Sequence, residues 1–139
     1  MDGGSPVVDV LRAALEPQEG VRLAVLYGSL ARGDEDAGSD LDLLVSLAGD
    51  RNSHADRYRL ATELERLSGR RVDIARLERV ESTAPLLLHY ALREGRVLVD
   101  RDGQWRALGE RRDEIGERAH RDYRRQMAAA GRALDELTR

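Results

Sequence analysis

The chain contains no cysteine. That removes disulfides, thiolate nucleophiles and cysteine-ligated zinc, and leaves packing and bound ligands as the sources of stability. Lysine is absent as well, so all 23 basic residues are arginine and neither a lysine nucleophile nor a Schiff base is available. Phenylalanine is also missing, a bias we attribute to coding rather than function. Apolar runs such as Pro85-Leu86-Leu87-Leu88 and Leu41-Asp42-Leu43-Leu44-Val45 fall far below the ~20 residues of a membrane span. Met1 to Pro6 has no basic region leading into an apolar stretch, so a secretory signal is not expected and a cytoplasmic location is. Charge of one sign is also in short supply. With 23 basic against 26 acidic residues the formal net charge is -3, which argues against a nucleic-acid coat driven by phosphate neutralisation. What remains is 139 residues, 41% hydrophobic and 35% charged, the profile of one globular domain able to bury roughly 68% of its unfolded surface.

Apolar spacing at Val10, Leu11, Ala14 and Leu15 predicts a first helix over Asp9 to Leu15, stopped by the turn from Pro17 to Gly20. Val21 to Tyr27 is an apolar run between Gly20 and Gly28, as expected of a buried strand. Small and charged residues from Ser29 to Gly38 predict a loop, and Asp40 to Leu47 a second strand. Ser53 is placed to cap a helix from His54 to Leu67 that ends at Gly69. Arg71 to Ala75 reads as a third strand. Ser82 or Thr83 is expected to cap a helix with Pro85 in its first turn, running to Arg93 and stopped by Gly95. Arg96 to Val99 adds a short edge strand, and a long helix follows from Gln104, with a break expected near Gly116. The order implies an α/β (α+β) fold, a small mixed β-sheet flanked by helices.

Chemistry concentrates in Gly28-Ser29-Leu30-Ala31-Arg32-Gly33 and Ser39-Asp40-Leu41-Asp42-Leu43-Leu44-Val45. A strand ending in Gly-Ser and turning into a helix offers free N–H groups, the positive end of a helix dipole and, at Gly28, room for phosphate to approach the backbone. Asp40 and Asp42, two apart on a strand, project from one face about 6.6 Å apart, suited to a pair of divalent cations. Oxygen-only ligation favours Mg²⁺, which bridges carboxylates to nucleotide phosphates. Asp73 is the candidate third acid: its neighbours Val72 and Ile74 turn to the core, which turns Asp73 the other way. Plainer roles stand beside these: a solvated loop edge for Asp40 and Asp42, and an ion pair with Arg71 or Arg76 for Asp73.

Gly28-Ser29, ten residues, Asp40-Leu41-Asp42 and a later Asp73 together resemble the DNA polymerase beta-like nucleotidyltransferase superfamily. The forms Gly-Ser-x-Ala-Arg-Gly and Ser-Asp-x-Asp-Leu are similar to its minimal nucleotidyltransferases, among them the antitoxins of HEPN/MNT pairs. The resemblance covers about Val21 to Ile74. It implies a catalytic set of Asp40, Asp42 and Asp73 holding two Mg²⁺ ions, with Gly28, Ser29 and Arg32 on the nucleotide. It further implies transfer of AMP from ATP to a hydroxyl, in antitoxin members a tyrosine of the cognate HEPN toxin, a ribonuclease silenced by the addition.

On this basis residues 1–100 are expected to form the nucleotidyltransferase domain and 101–139 a C-terminal helical extension packing on it. The expected partners are ATP and a HEPN-domain toxin, with no membrane and no direct nucleic-acid contact. Two alternatives stand: transfer to a small molecule such as an aminoglycoside, and a non-catalytic antitoxin acting by stoichiometric binding. His54, His89 and His120 are well separated in sequence and fit no metal-ligand spacing, so packing or solvated roles are expected. Tyr27 is expected to pack on the sheet. Arg111, Arg112, Arg118, Arg121, Arg124 and Arg125 are read as a solvated helix face, with a partner contact as the alternative.

Overall fold

The computed structural model describes residues 6–28, 31 and 40–138. Helix α1 (Pro6–Leu15) begins at a proline, whose missing N–H is no loss in a first turn, and buries Val8, Leu11 and Leu15 along one stripe. Strands β1 (Val21–Tyr27) and β2 (Leu41–Leu47) are the apolar runs of the sequence. Helix α2 (His54–Ser68) starts with a capping box: Ser53 Oγ accepts from the Asp56 N–H, and the Asp56 carboxylate accepts from the Ser53 N–H. It ends at Gly69, whose φ of 70° is the left-handed conformation glycine adopts freely. Strand β3 (Val72–Arg76) follows, then α3 (Leu77–Thr83), α4 (Pro85–Glu94), β4 (Arg96–Asp100), α5 (Gln104–Glu110) and α6 (Arg112–Leu137).

Two of the sequence expectations are corrected here. Ser82 and Thr83 do not cap α4; they close the additional helix α3, and Ala84 stands at the α4 N-cap with Pro85 behind it. Both hydroxyls donate backwards, Thr83 Oγ1 to the Arg79 carbonyl at 2.7 Å and Ser82 Oγ to the same carbonyl at 3.1 Å, satisfying the end of α3 instead of the start of α4. The long C-terminal helix breaks at Arg111, not near Gly116. Gly116 is buried where α6 crosses α4, and a Cβ there would stand 2.9 Å from His89 Nδ1, so its glycine serves close helix packing.

The sheet order is β3-β2-β1-β4, with β1 antiparallel to both neighbours and β2 parallel to β3. This is the small mixed sheet flanked by helices. Because strand side chains alternate, one face carries Ala24, Leu26, Leu41, Leu43 and Val45 against α1 and α2. The other carries Leu23, Val25 and Leu44 against Leu77 and Val80 of α3, Leu88 and Ala91 of α4, Trp105 and Leu108 of α5, and Ile115 of α6. Both faces are thus buried, which is why β1 and β2 read as continuous apolar runs. Arg101, just past β4, ties this edge to the opening of the chain by donating to the carbonyls of Leu15, Glu16, Gln18 and Val21.

Candidate active site

Register brings the acids together. Asp42 of β2 lies opposite Tyr27 of β1 on one side and Asp73 of β3 on the other, so the three side chains form a row across one face, about one strand spacing (~4.8 Å) apart. The row sits on the face covered by α3 to α6, at the end of β1 where the chain turns at Gly28. Asp40 lies immediately before β2 and is exposed, one residue short of the strand start expected for it. Asp42 is half-buried and Asp73 exposed. Ser29 and Arg32 lie outside the described residues.

Gly28 has a φ of 85°, in the left-handed region. A Cβ built there would meet Asp42 Oδ2 at 2.8 Å, so the glycine is needed both for its backbone and for the closeness of the carboxylate. The electrostatics are those of crowded acids. Burial, then the charge of Asp73, then that of Asp40 raise the Asp42 carboxyl above its ordinary value. Burial, followed by Asp42 and Asp73, pushes the Tyr27 phenol up to about 12, so it stays a neutral hydroxyl at physiological pH. A weak cationic neighbour stands nearby: Arg71 Nε is 3.9 Å from Asp73 Oδ1 with both side chains exposed, an ion pair worth little.

Among the described residues no three carboxylates or imidazoles form a closed metal-binding group. Mg²⁺ does not need one, since it is commonly held by one or two carboxylates together with substrate phosphates and water. Hard oxygen donors that repel one another beside a positive-φ glycine fit such an ion.

Two features were not visible in the sequence. A cavity of about 370 Å³ adjoins Gly28, lined by Tyr27, Leu87, Tyr90, Ala91 and Glu94, and four of its six residues come from α4, some sixty positions along the chain. His89 and His120, distant in sequence, meet edge to face with ring centroids 5.0 Å apart, because α4 packs on α6. Within α6, His120 Nδ1 lies 2.8 Å from the Gly116 carbonyl one turn earlier, which orients the ring. Another concavity, about 730 Å³ and lined by Pro17, Val21, Leu47 and Leu60 among others, lies at the far end of the β1–β2 ladder from the acid row.

The sheet, the glycine turn and the row of acids define a nucleotidyl-transfer fold, and residues 10–104 match the family described as Polymerase beta, Nucleotidyltransferase. The chain belongs to that family, and it spans 60% of the length of the curated relative it matches. A relative from Methanocaldococcus jannaschii, provisionally named a protein adenylyltransferase, is 40% identical over 57 residues, covering 41% of this chain and 60% of that protein. The fold also matches a chain of a toxin–antitoxin complex crystallised with AMP-PNP, with a TM-score of 0.63 at 20% identity over 95% of this chain and 98% of that one. A further match is a chain of the complex between a tri-AMPylated HEPN toxin of Shewanella oneidensis and its MNT antitoxin. There the TM-score is 0.56 at 17% identity, over 95% of this chain and 99% of that one.

Proposed function

We propose that this nucleotidyltransferase moves AMP from ATP to a hydroxyl of a cognate HEPN-type toxin, most simply a tyrosine, and thereby acts as an antitoxin. The observation that carries the reading is the in-register pair Asp42 and Asp73 beside the positive-φ turn at Gly28. The toxin–antitoxin chains of the same fold, one with AMP-PNP and one beside an AMPylated toxin, support the donor and the acceptor.

In this mechanism Gly28 and Ser29 hold the triphosphate, with Arg32 paired to phosphate. Asp40, Asp42 and Asp73 would hold two Mg²⁺ ions, which when bound would neutralise the crowded carboxylates and polarise the phosphoryl oxygens. Asp73, at the β3 edge of the row, receives the acceptor hydroxyl and draws off its proton. The hydroxyl oxygen bonds to the α-phosphorus as the bond to the β-phosphate bridging oxygen breaks, and pyrophosphate leaves. Residues 1–100 carry this chemistry and 101–139 brace it from the α4 side.

The test is intact-mass spectrometry of the toxin after incubation with this protein, ATP and Mg²⁺. Mass should rise by whole AMP units, and the rise should vanish with the Asp40→Asn/Asp42→Asn variant. A stable complex with no mass change would defeat protein nucleotidyl transfer in favour of stoichiometric neutralisation.

A further inference from the structure

We propose that the hollow where α4 crosses α6 is a second ligand site, one that takes the phosphate groups of a short oligophosphate. It is a cavity of about 610 Å³ lined by His89, Arg112, Gly116, His120, Arg121 and Arg124, with Asp113 and Glu117 beside them. None of these residues lines the cavity beside Gly28 or belongs to the acid row.

The arginines that the sequence offers as one solvated face divide in the structure. Arg111 pairs with Glu114 at 3.3 Å, and Arg118 donates to the Glu81 carbonyl at 3.1 Å. Arg112, Arg121 and Arg124 make no hydrogen bond or ion pair among the described residues, and all three line the hollow. Guanidinium groups gathered on one helix without carboxylate partners repel one another. A phosphate relieves that repulsion by accepting paired N–H bonds.

The helix pitch sorts the charges of the lining by sign. Arg112, Gly116, His120 and Arg124 recur every fourth residue, about 6 Å of rise per step, and form one stripe that holds no carboxylate. This stripe is the one against α4: a Cβ on Gly116 would stand 2.9 Å from His89 Nδ1, and the His89 and His120 ring centroids are 5.0 Å apart. Asp113 and Glu117 stand on the neighbouring stripe, followed by Arg121. Burial first, then His120 and Arg93, hold the His89 imidazole below its ordinary value, and both of those neighbours are basic. The rise from Arg112 to Arg124 is about 18 Å, which suits a ligand with several phosphates rather than one. A cation has the wrong charge for such a stripe, and among the described residues no group of three acids or imidazoles is placed to hold one.

Proton NMR of the full chain in metal-free buffer tests the site by following its three histidine rings through pH titrations. The titrations are run with sodium tripolyphosphate, with the RNA hexamer hexauridylate, and with sodium chloride at matched ionic strength. His54, on α2 against the other face of the sheet, is the internal control. With one or both phosphate ligands the His89 and His120 imidazoles should rise by about half a pH unit or more, while His54 moves by less than about a tenth. The tighter ligand names the source: tripolyphosphate a free oligophosphate, hexauridylate the backbone of a nucleic-acid strand. Arg112→Gln/Arg124→Gln should keep the native melting temperature within about 2 °C and weaken binding roughly tenfold. No rise with either phosphate ligand would overturn the site, as would an equal rise with chloride or a parallel rise of His54. Full affinity in the arginine variant would overturn it as well.

Discussion

Asp42 is held where its charge is costly. Its carboxyl is raised by burial and by two neighbouring acids, so the folded chain keeps the Asp42 proton more tightly than the unfolded one. The resulting penalty is absent below the ordinary carboxylate range, grows as pH rises through that range to the raised value, and stays constant above it. Asp42→Asn should therefore be more stable than the native chain at pH 7, by a few tenths of a kcal/mol given the screening of a half-buried group, with the difference gone near pH 3. Thermal melts across pH measure this. Added Mg²⁺ should raise the melting temperature of the native chain and not that of Asp40→Asn/Asp42→Asn. Gly28→Ala acts in the opposite sense. It forces a side chain into a left-handed backbone and against Asp42 Oδ2, and should cost about 1–2 kcal/mol in denaturant unfolding. Such local features were legible in the sequence, because Gly28 ends an apolar run and the alternation around Val72 and Ile74 sets the direction of Asp73. The cavity beside Gly28 was not, since the sequence marks the helix from Pro85 but not its packing against Gly28.

Elements with strong local signals were read nearly to the residue. The β1 run lies between glycines, and α2 has both a capping serine and a C-terminal glycine. Ser53→Ala should cost about 1 kcal/mol, measured by denaturant unfolding, because the Asp56 N–H loses its acceptor. The helix α3 escaped because its seven residues bury only Leu77 and Val80, too few to establish a period. Gly95 has a role the sequence reading reduced to a stop. Its backbone is extended, not left-handed, yet a Cβ would run into the Ala91 carbonyl oxygen and stand 2.8 Å from Val25 Cγ1. Gly95→Ala must displace α4 from β1. The expected loss is about 2 kcal/mol or more in unfolding free energy.

At the scale of the whole molecule, the second half of α6 is the least committed part of the described helices. The 26 residues of α6 span about 39 Å, but burial stops at Ala119, and Tyr123, Met127, Leu134 and Leu137 are exposed. Truncation after Asp122 should shift the melting temperature by no more than about 2 °C and leave ATP affinity unchanged, while hydrogen exchange among the described helices should be fastest over 123–137. The break of this helix at Arg111 was hidden from sequence because Gly116 is the more conspicuous breaker. Only the crossing with α4 shows that the glycine is kept for His89.

The strand order has a consequence for how the chain leaves the ribosome. The two strands synthesised first, β1 and β2, become the centre of the sheet, and the two synthesised later become its edges. β2 is covered soon, by β3, but the other side of β1 waits for Arg96–Asp100, almost seventy residues after Tyr27. At bacterial-to-eukaryotic translation speeds that is roughly 4–14 s during which Val21 to Tyr27 presents an open apolar edge. A nascent chain stalled at Gly95 is therefore the aggregation-prone species, and release of Arg101, which then clasps the turn before β1, is the moment the edge is sealed.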